Sequence, residues 1–348
     1  MSMFLNGGKK VTGIFANVNG ETKKIASAWV NKEGVPTKVY NSRIGNRFIA
    51  VANNGNTYQS TDGETWVAIS GLLITDNYYS LTYGNEKFVC VAQDGGIYNL
   101  FPNSKKWKPV NDATNLTIET AYCNLLAYGD GVFVYVDKRG KSYYSLDGET
   151  WTALSGGLDS SHYYYQVAYG KISGYGYFVC VGTDGNSYYI RSTTIKGTSS
   201  TKSWTAMTGI SGSEYDLDCV TYGKSKFVCV SHYGHTFYST DGKTWTKGNE
   251  LGTNVHNDIT YGNGKFITVG NSGRSYYSTD GVSWTAMTGA AGTVMSVTYG
   301  DNRFVCVSDN GRSFYSTDGK TWVQIESLSS DIDFNAVCYS IDGGYDNT

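Results

Sequence analysis

Residues 259–284 read ITYGNGKFITVGNSGRSYYSTDGVSW, and the phrase returns along the chain. Its central phenylalanine recurs as Phe48, Phe88, Phe133, Phe178, Phe227, Phe266 and Phe304. Seven residues after each stands a glycine: Gly55, Gly95, Gly140, Gly185, Gly234, Gly273 and Gly311. Each unit closes on a tryptophan, namely Trp66, Trp107, Trp151, Trp204, Trp245, Trp284 or Trp322. The quoted unit reads as four short strands. Strand A ends at Tyr261, the turn Gly262-Asn263-Gly264 returns strand B at Phe266-Ile267-Thr268-Val269, and strand C is Ser275-Tyr276-Tyr277-Ser278. Asp280-Gly281 then turns the chain into strand D at Trp284. The fixed glycine suits a hairpin position of positive φ.

Seven units of about 40 residues, each unable to bury both faces of its sheet alone, predict an all-β, seven-bladed β-propeller of four-stranded blades. The first unit begins near Asn46 without a strand A, and Asn335–Ser340 is a strand A with no unit behind it. That orphan is expected to complete blade one and so remove two exposed edges. The expected domains are a hairpin segment, residues 1–41, and the ring, residues 42–348.

Composition agrees. The 348 residues include 43 glycines, 30 tyrosines and 3 prolines, which favours turns and aromatic strands over long helices. A net charge of -2 removes the basic footprint of a duplex nucleic-acid binder. No apolar run reaches the length of a membrane span, so membrane insertion is not expected. The opening MSMFLNGGKK lacks the apolar stretch of a signal peptide. Cys90, Cys180, Cys229 and Cys306 take one place in repeated units, too far apart for disulfides, and read as buried thiols.

The turns Ser60–Trp66, Ser145–Trp151, Ser239–Trp245, Ser278–Trp284 and Ser316–Trp322 resemble the Asp-box of sialidase-type propellers, with Gly directly after Asp. The resemblance implies that Asp62, Asp147, Asp241, Asp280 and Asp318 staple turns, each tryptophan packing beneath its own turn, away from any active site. Blade two has lost the Asp-Gly pair, and blade four carries an insertion before Trp204. The same resemblance raises glycoside hydrolysis. Sialidases clamp a carboxylate with three arginines, the first in Arg-Ile-Pro, whereas this chain offers Arg43-Ile44-Gly45 and arginines spread over repeated turns. Regular units argue against an active site, which usually breaks a consensus. No catalytic residue, cofactor or metal is expected. His232 and His235 share one turn and could hold a metal only with a third ligand.

What varies between blades points to a binding rim. With strand A innermost, the B–C turns and D–A connections share one face. After the fixed glycines stand Asn56, Gly96, Lys141, Asn186, His235, Arg274 and Arg312, so blades five to seven set three potentially basic groups in an arc. The D–A connections add Tyr79, Tyr163, Tyr164 and Tyr215, whose ring faces suit the apolar side of sugars. The alternative for these tyrosines is inward packing between blades.

Residues 18–25 and 28–40 read as two hairpins around Asn-Gly and Glu-Gly. Ala28–Tyr40 is similar to hairpin modules that begin tail and baseplate proteins of phages and prophages of Gram-positive bacteria. The resemblance implies a particle-bound protein, docked to a tail or baseplate protein through residues 1–41, oligomeric on the particle, assembled in the bacterial cytoplasm and released by lysis. The leading expectation is a receptor-binding or adhesin subunit that recognises a cell-surface glycan. A structural particle subunit binding only proteins and an Asp-box glycosidase are the alternatives.

Overall fold

The computed structural model describes residues 15–18, 21–24, 27–32, 35–41, 46–69, 77–93, 95–101, 104, 106–110, 125–328 and 331–340. The chain divides into Met1–Gly45 and Asn46–Thr348, four residues beyond the boundary expected from sequence. In the first unit Phe15–Val18 pairs with Glu21–Lys24 and Ser27–Lys32 with Val35–Asn41. The pairings Val18↔Glu21 and Lys32↔Val35 leave two-residue connections, whose Asn-Gly and Glu-Gly tips lie outside the described residues.

Asn46–Thr348 holds seven four-stranded antiparallel sheets, the blades of a β-propeller. Blade five shows the pattern: Leu217–Gly223, Lys226–Ser231, Thr236–Ser239 and Thr246–Lys247 in spatial order. Strand B is buried from Phe227 to Val230 because both of its faces meet neighbouring blades. Among the described cysteines, Cys90, Cys180, Cys229 and Cys306 are free and buried on strand B, and Cys219 and Cys338 are free and buried on strand A. Among the described residues one short α-helix stands out, α1 (Ser192–Lys196), inside the blade-four insertion.

Three contacts repeat around the ring. The tyrosine that ends strand A tilts against the strand-B phenylalanine of its own blade, as in Tyr222–Phe227 at 5.1 Å and Tyr299–Phe304 at 4.7 Å. The glycine after it lies under the tyrosine of the next blade, so that a Cβ on Gly223 would stand 2.1 Å from the Tyr261 ring. Close approach, rather than an unusual φ, requires glycine here. A bulge recurs near the start of strand A, between Leu217 and Cys219 or His256 and Asp258 for example, and in blades one, two, five and six its extra residue bonds the B–C turn of the same blade. Asn335 Nδ2 reaches Asn53 Oδ1 (2.8 Å), Tyr79 OH reaches Gln93 Oε1 (3.1 Å) and Asn257 Nδ2 reaches Asn271 Oδ1 (3.1 Å).

The Ser-x-Asp-Gly turns are stapled as the sequence suggests. Asp241 Oδ1 accepts from the Lys243 and Thr244 amides, both at 2.8 Å, and from the Ser239 hydroxyl at 3.0 Å. At Asp62 partial burial opposes ionisation, but the Thr65 and Glu64 amides and the Ser60 hydroxyl outweigh it and hold the carboxyl down to about 2. The tryptophans also tie neighbouring blades together. Trp107, Trp204, Trp245 and Trp322 donate from Nε1 to Thr57, Ser142, Ser187 and Ser275, each the first residue of strand C in the preceding blade, at 3.2, 3.0, 2.9 and 3.0 Å. Trp66 bonds its own turn, at Gly63 O. Trp151 and Trp284 have no Nε1 partner among the described residues, and blade two offers only Ile97 at the place Trp151 would reach. The cations before the strand-B phenylalanine also clasp the next blade: Lys87 Nζ bonds Asp147 O (2.6 Å) and Lys226 Nζ bonds Asp280 O (2.9 Å).

Closure is as expected. Phe334–Tyr339 pairs with Phe48–Ala52, from Phe334↔Ala52 to Tyr339↔Phe48, to supply strand A of blade one. Ser340 N donates to Arg47 O at 2.9 Å, and Arg47 N to Ser340 Oγ at 2.8 Å.

Candidate functional site: the B–C rim

Alternating strand direction brings the B–C turns and D–A connections to one face, and backbone bonds tie them together. Gly185 N donates to Tyr215 O (2.6 Å) and His232 N to Asp216 O (2.7 Å). In blades one, four and six the turn has one conformation, with Asn54, Asp184 and Ser272 at φ 58°, 57° and 56° before the fixed glycine. The next residue projects, or folds back. Asn56 and Asn186 bond their own turns at Asn53 O and Thr183 O. Lys141, Arg274 and Arg312 are exposed.

Three expected ligand groups need correction. Tyr79 and Tyr164 are buried, because the strand-A pleat turns Tyr164 against Tyr188 (6.0 Å) and the bulge turns Tyr79 toward Gln93. Neither offers a ring face to a ligand. His235 binds Glu250 through Nδ1 at 3.1 Å and lies edge-on to Tyr215 at 5.1 Å, so its charge would be matched by a carboxylate. Tyr163 and Tyr215 remain half-buried on the rim. Over Tyr163 stand Lys138 Nζ (4.7 Å) and Arg139 Cζ (4.5 Å), a cation–aromatic cluster that the sequence reading passed over. Its signal was there, in the run Lys138-Arg139-Gly140-Lys141.

Between these cations the rim turns acidic. His162 lies 3.1 Å from Asp184 and 3.6 Å from Asp159, and Asp216 accepts from the Asp184 amide. His232 bonds Asp218 at 3.1 Å, which is the blade-five form of the bulge-to-turn bond and raises the imidazole pKa. Burial pushes Asp218 up to about 6 against the pull of that histidine. His232 and His235 therefore face different carboxylates.

Three arginines outside the arc have their own partners. Arg47 bonds Phe101 O in blade two, Arg303 bonds Glu64 in blade one, and Arg191 bonds Tyr177 OH. On the ring axis the strand-A residues Thr82, Thr221, Thr260 and Thr298 line a cavity of about 170 Å³. Buried Asp258 adjoins it, accepting from Gln166 Nε2 (2.8 Å), Ser296 OH (2.8 Å) and the amides of Ile259 (2.8 Å) and Val297 (2.9 Å). These bonds join blades four, six and seven across the axis and fill the carboxylate's acceptor sites.

The ring has solved counterparts. It superposes on "YCF48 bound to D1 peptide" with TM-score 0.55 and 15% identity, covering 84% of this chain and 89% of that one. A nidogen/laminin complex matches with TM-score 0.52 and 7% identity, over 85% of this chain and 99% of that one. The computationally designed Ika8 protein matches with TM-score 0.55 and 11% identity, over 83% and 88%. At such identities the likeness extends to the propeller fold alone. No family model matches the sequence, and no curated protein does.

Proposed function

We propose that the chain is a non-catalytic recognition subunit of a phage tail or tail-like particle, whose ring reads an anionic cell-surface carbohydrate through its B–C rim. The observation that carries this reading is the rim itself: on a scaffold whose other contacts repeat from blade to blade, exposed Arg274 and Arg312 and the Lys138–Arg139–Tyr163 cluster stand on one face. Guanidinium and ammonium groups on rigid turns give charge-assisted bonds to carboxylate or phosphate, and a half-buried tyrosine gives the flat contact that a sugar ring accepts. The dispersal of Arg47, Arg191 and Arg303 onto separate partners weighs against a three-arginine clamp and hence against hydrolysis. The Ser-x-Asp-Gly staples agree with the Asp-box resemblance, and the paired hairpins of residues 15–41 agree with a tail-docking segment. Binding of the full chain to an array of neutral, carboxylated and phosphorylated glycans tests the reading. Selective retention of the anionic members is expected, and an array left blank would overturn it. A protein-binding role is the second reading, favoured by fold neighbours described as carrying a peptide and as a complex with laminin.

A further inference from the structure

Blade four departs from the repeat at both loops of the face opposite the B–C rim. Its A–B hairpin holds Lys171-Ile172-Ser173-Gly174-Tyr175-Gly176 where blade five has only Lys224-Ser225. The two strands lengthen accordingly, to Tyr164–Ile172 and Tyr175–Gly182, and turn through Ser173 and Gly174 at φ 50° and 81°. After Ser187–Arg191 the chain adds α1 and a polar stretch before Trp204.

The two additions form one ordered platform. Tyr177 pairs with Arg191 in register, and the Arg191 guanidinium lies over Tyr175 (4.9 Å) and Tyr177 (5.4 Å). Asp130 of blade three anchors both, binding Lys171 Nζ at 2.9 Å and the Ser192 hydroxyl at 2.8 Å, while its carbonyl accepts from Lys196 Nζ at 2.9 Å. Gly176 fits against this anchor so closely that a Cβ would stand 2.5 Å from Asp130 Oδ2. Ile195 is buried beneath.

The surface of the platform stays open to solvent. Tyr175 is 51% exposed, the Lys171 side chain is 56% exposed, and Lys196 is exposed. Arg191, over Tyr175 and Tyr177, and Lys202, bonded to Gly197 O, add two more cations to this part of blade four. A hairpin that projects past its neighbours is the wrong shape to enclose a small ligand. Tyrosine and arginine held rigid against each other are the side chains that dominate protein–protein contacts. We propose that the blade-four platform docks an acidic polypeptide segment, its carboxylates meeting Arg191, Lys171 and Lys196 and an apolar side chain covering Tyr175. The inference does not depend on the glycan reading, because it concerns the opposite face.

The test is fluorescence anisotropy of a labelled glutamate–tyrosine copolymer titrated with the full chain. The expectation is saturable binding that weakens about tenfold or more in Tyr175→Ala/Arg191→Ala, as for loss of interface anchors, and is unchanged in Arg274→Ala/Arg312→Ala. Tyr175→Ala alone, which removes a ring 51% exposed and outside the Asp130 anchor, should weaken it as well and covers the case in which the first variant does not fold. Absence of binding by the wild-type chain, or loss in the rim variant alone, would overturn the proposal. Heparin binding that is lost in the platform variants, with none of the copolymer, would also overturn it and assign the platform to polysaccharide.

Discussion

Two single residues carry testable consequences. Asp241 gathers two amides and a hydroxyl on one oxygen, so Asp241→Ala leaves those donors unpaired and should cost about 1–3 kcal/mol in a denaturant titration. Ligand retention by the folded fraction should not change, because the staple lies on the face away from the rim. Complete loss of ligand at unchanged stability would place the binding face wrongly. His256 stands in strand A of blade six, at the place that Tyr164, Leu217 and Phe334 fill elsewhere. Around it are the Thr268 hydroxyl, the Tyr276 ring and, as a nearby charge, His232, and its Nε2 has no partner among the described residues. Burial, with a smaller push from His232, lowers its pKa to about 4. The unfolded chain takes up that proton as pH falls through about 6.5, whereas the folded one waits until about 4. Stability is therefore full above the higher value and declines between the two, by roughly 3 kcal/mol in all. His256→Phe should lose less stability than wild type between pH 7 and pH 4.5, as read by urea midpoints. Equal losses in the two proteins would refute a buried neutral imidazole.

At the scale of elements, the closing strand is the one whose removal is most informative. Phe334 and Ala336 are buried, and Phe334–Tyr339 covers a strand B that would otherwise present a bare edge. Truncation after Ser330 should give insoluble or strongly destabilised protein. A soluble product with an unchanged melting temperature would contradict closure. Most of this level was readable in the sequence, because the glycines, the Tyr-Gly pairs and the Asp-Gly turns fix strand ends by local backbone demands. The seams between blades were not. That Trp245 reaches Ser187 and not its own turn depends on where strand C of the preceding blade falls, which no pattern within one unit records. The bulge that buries Tyr79 was likewise hidden, since alternation alone does not say where a register shifts.

For the whole molecule, the prediction concerns charge on the rim. Arg274→Ala/Arg312→Ala should weaken attachment to cells by about 1.5–3 kcal/mol per charged bond lost, and added salt should weaken the wild type in the same direction. Melting should barely change, because both side chains are exposed. Attachment equal to wild type at low and high salt would reduce the two arginines to ordinary solvated turn residues. The rim was legible as a place and only partly as a site. Its cations are read directly, but the pairing of His235 with Glu250 and the burial of Tyr164 follow from side chains of other elements. The meeting of Ser340 with Arg47 has a consequence of its own. In blade five the corresponding pair is Gly223↔Lys226, joined by a two-residue turn, so the break in blade one falls where every other blade has a short covalent link. A two-residue bridge from Ser340 to Arg47 would make all seven blades equivalent hairpin stacks. The ring could then be opened at any other A–B turn, giving a family of circular permutants that share one set of contacts and differ in which blade is completed last.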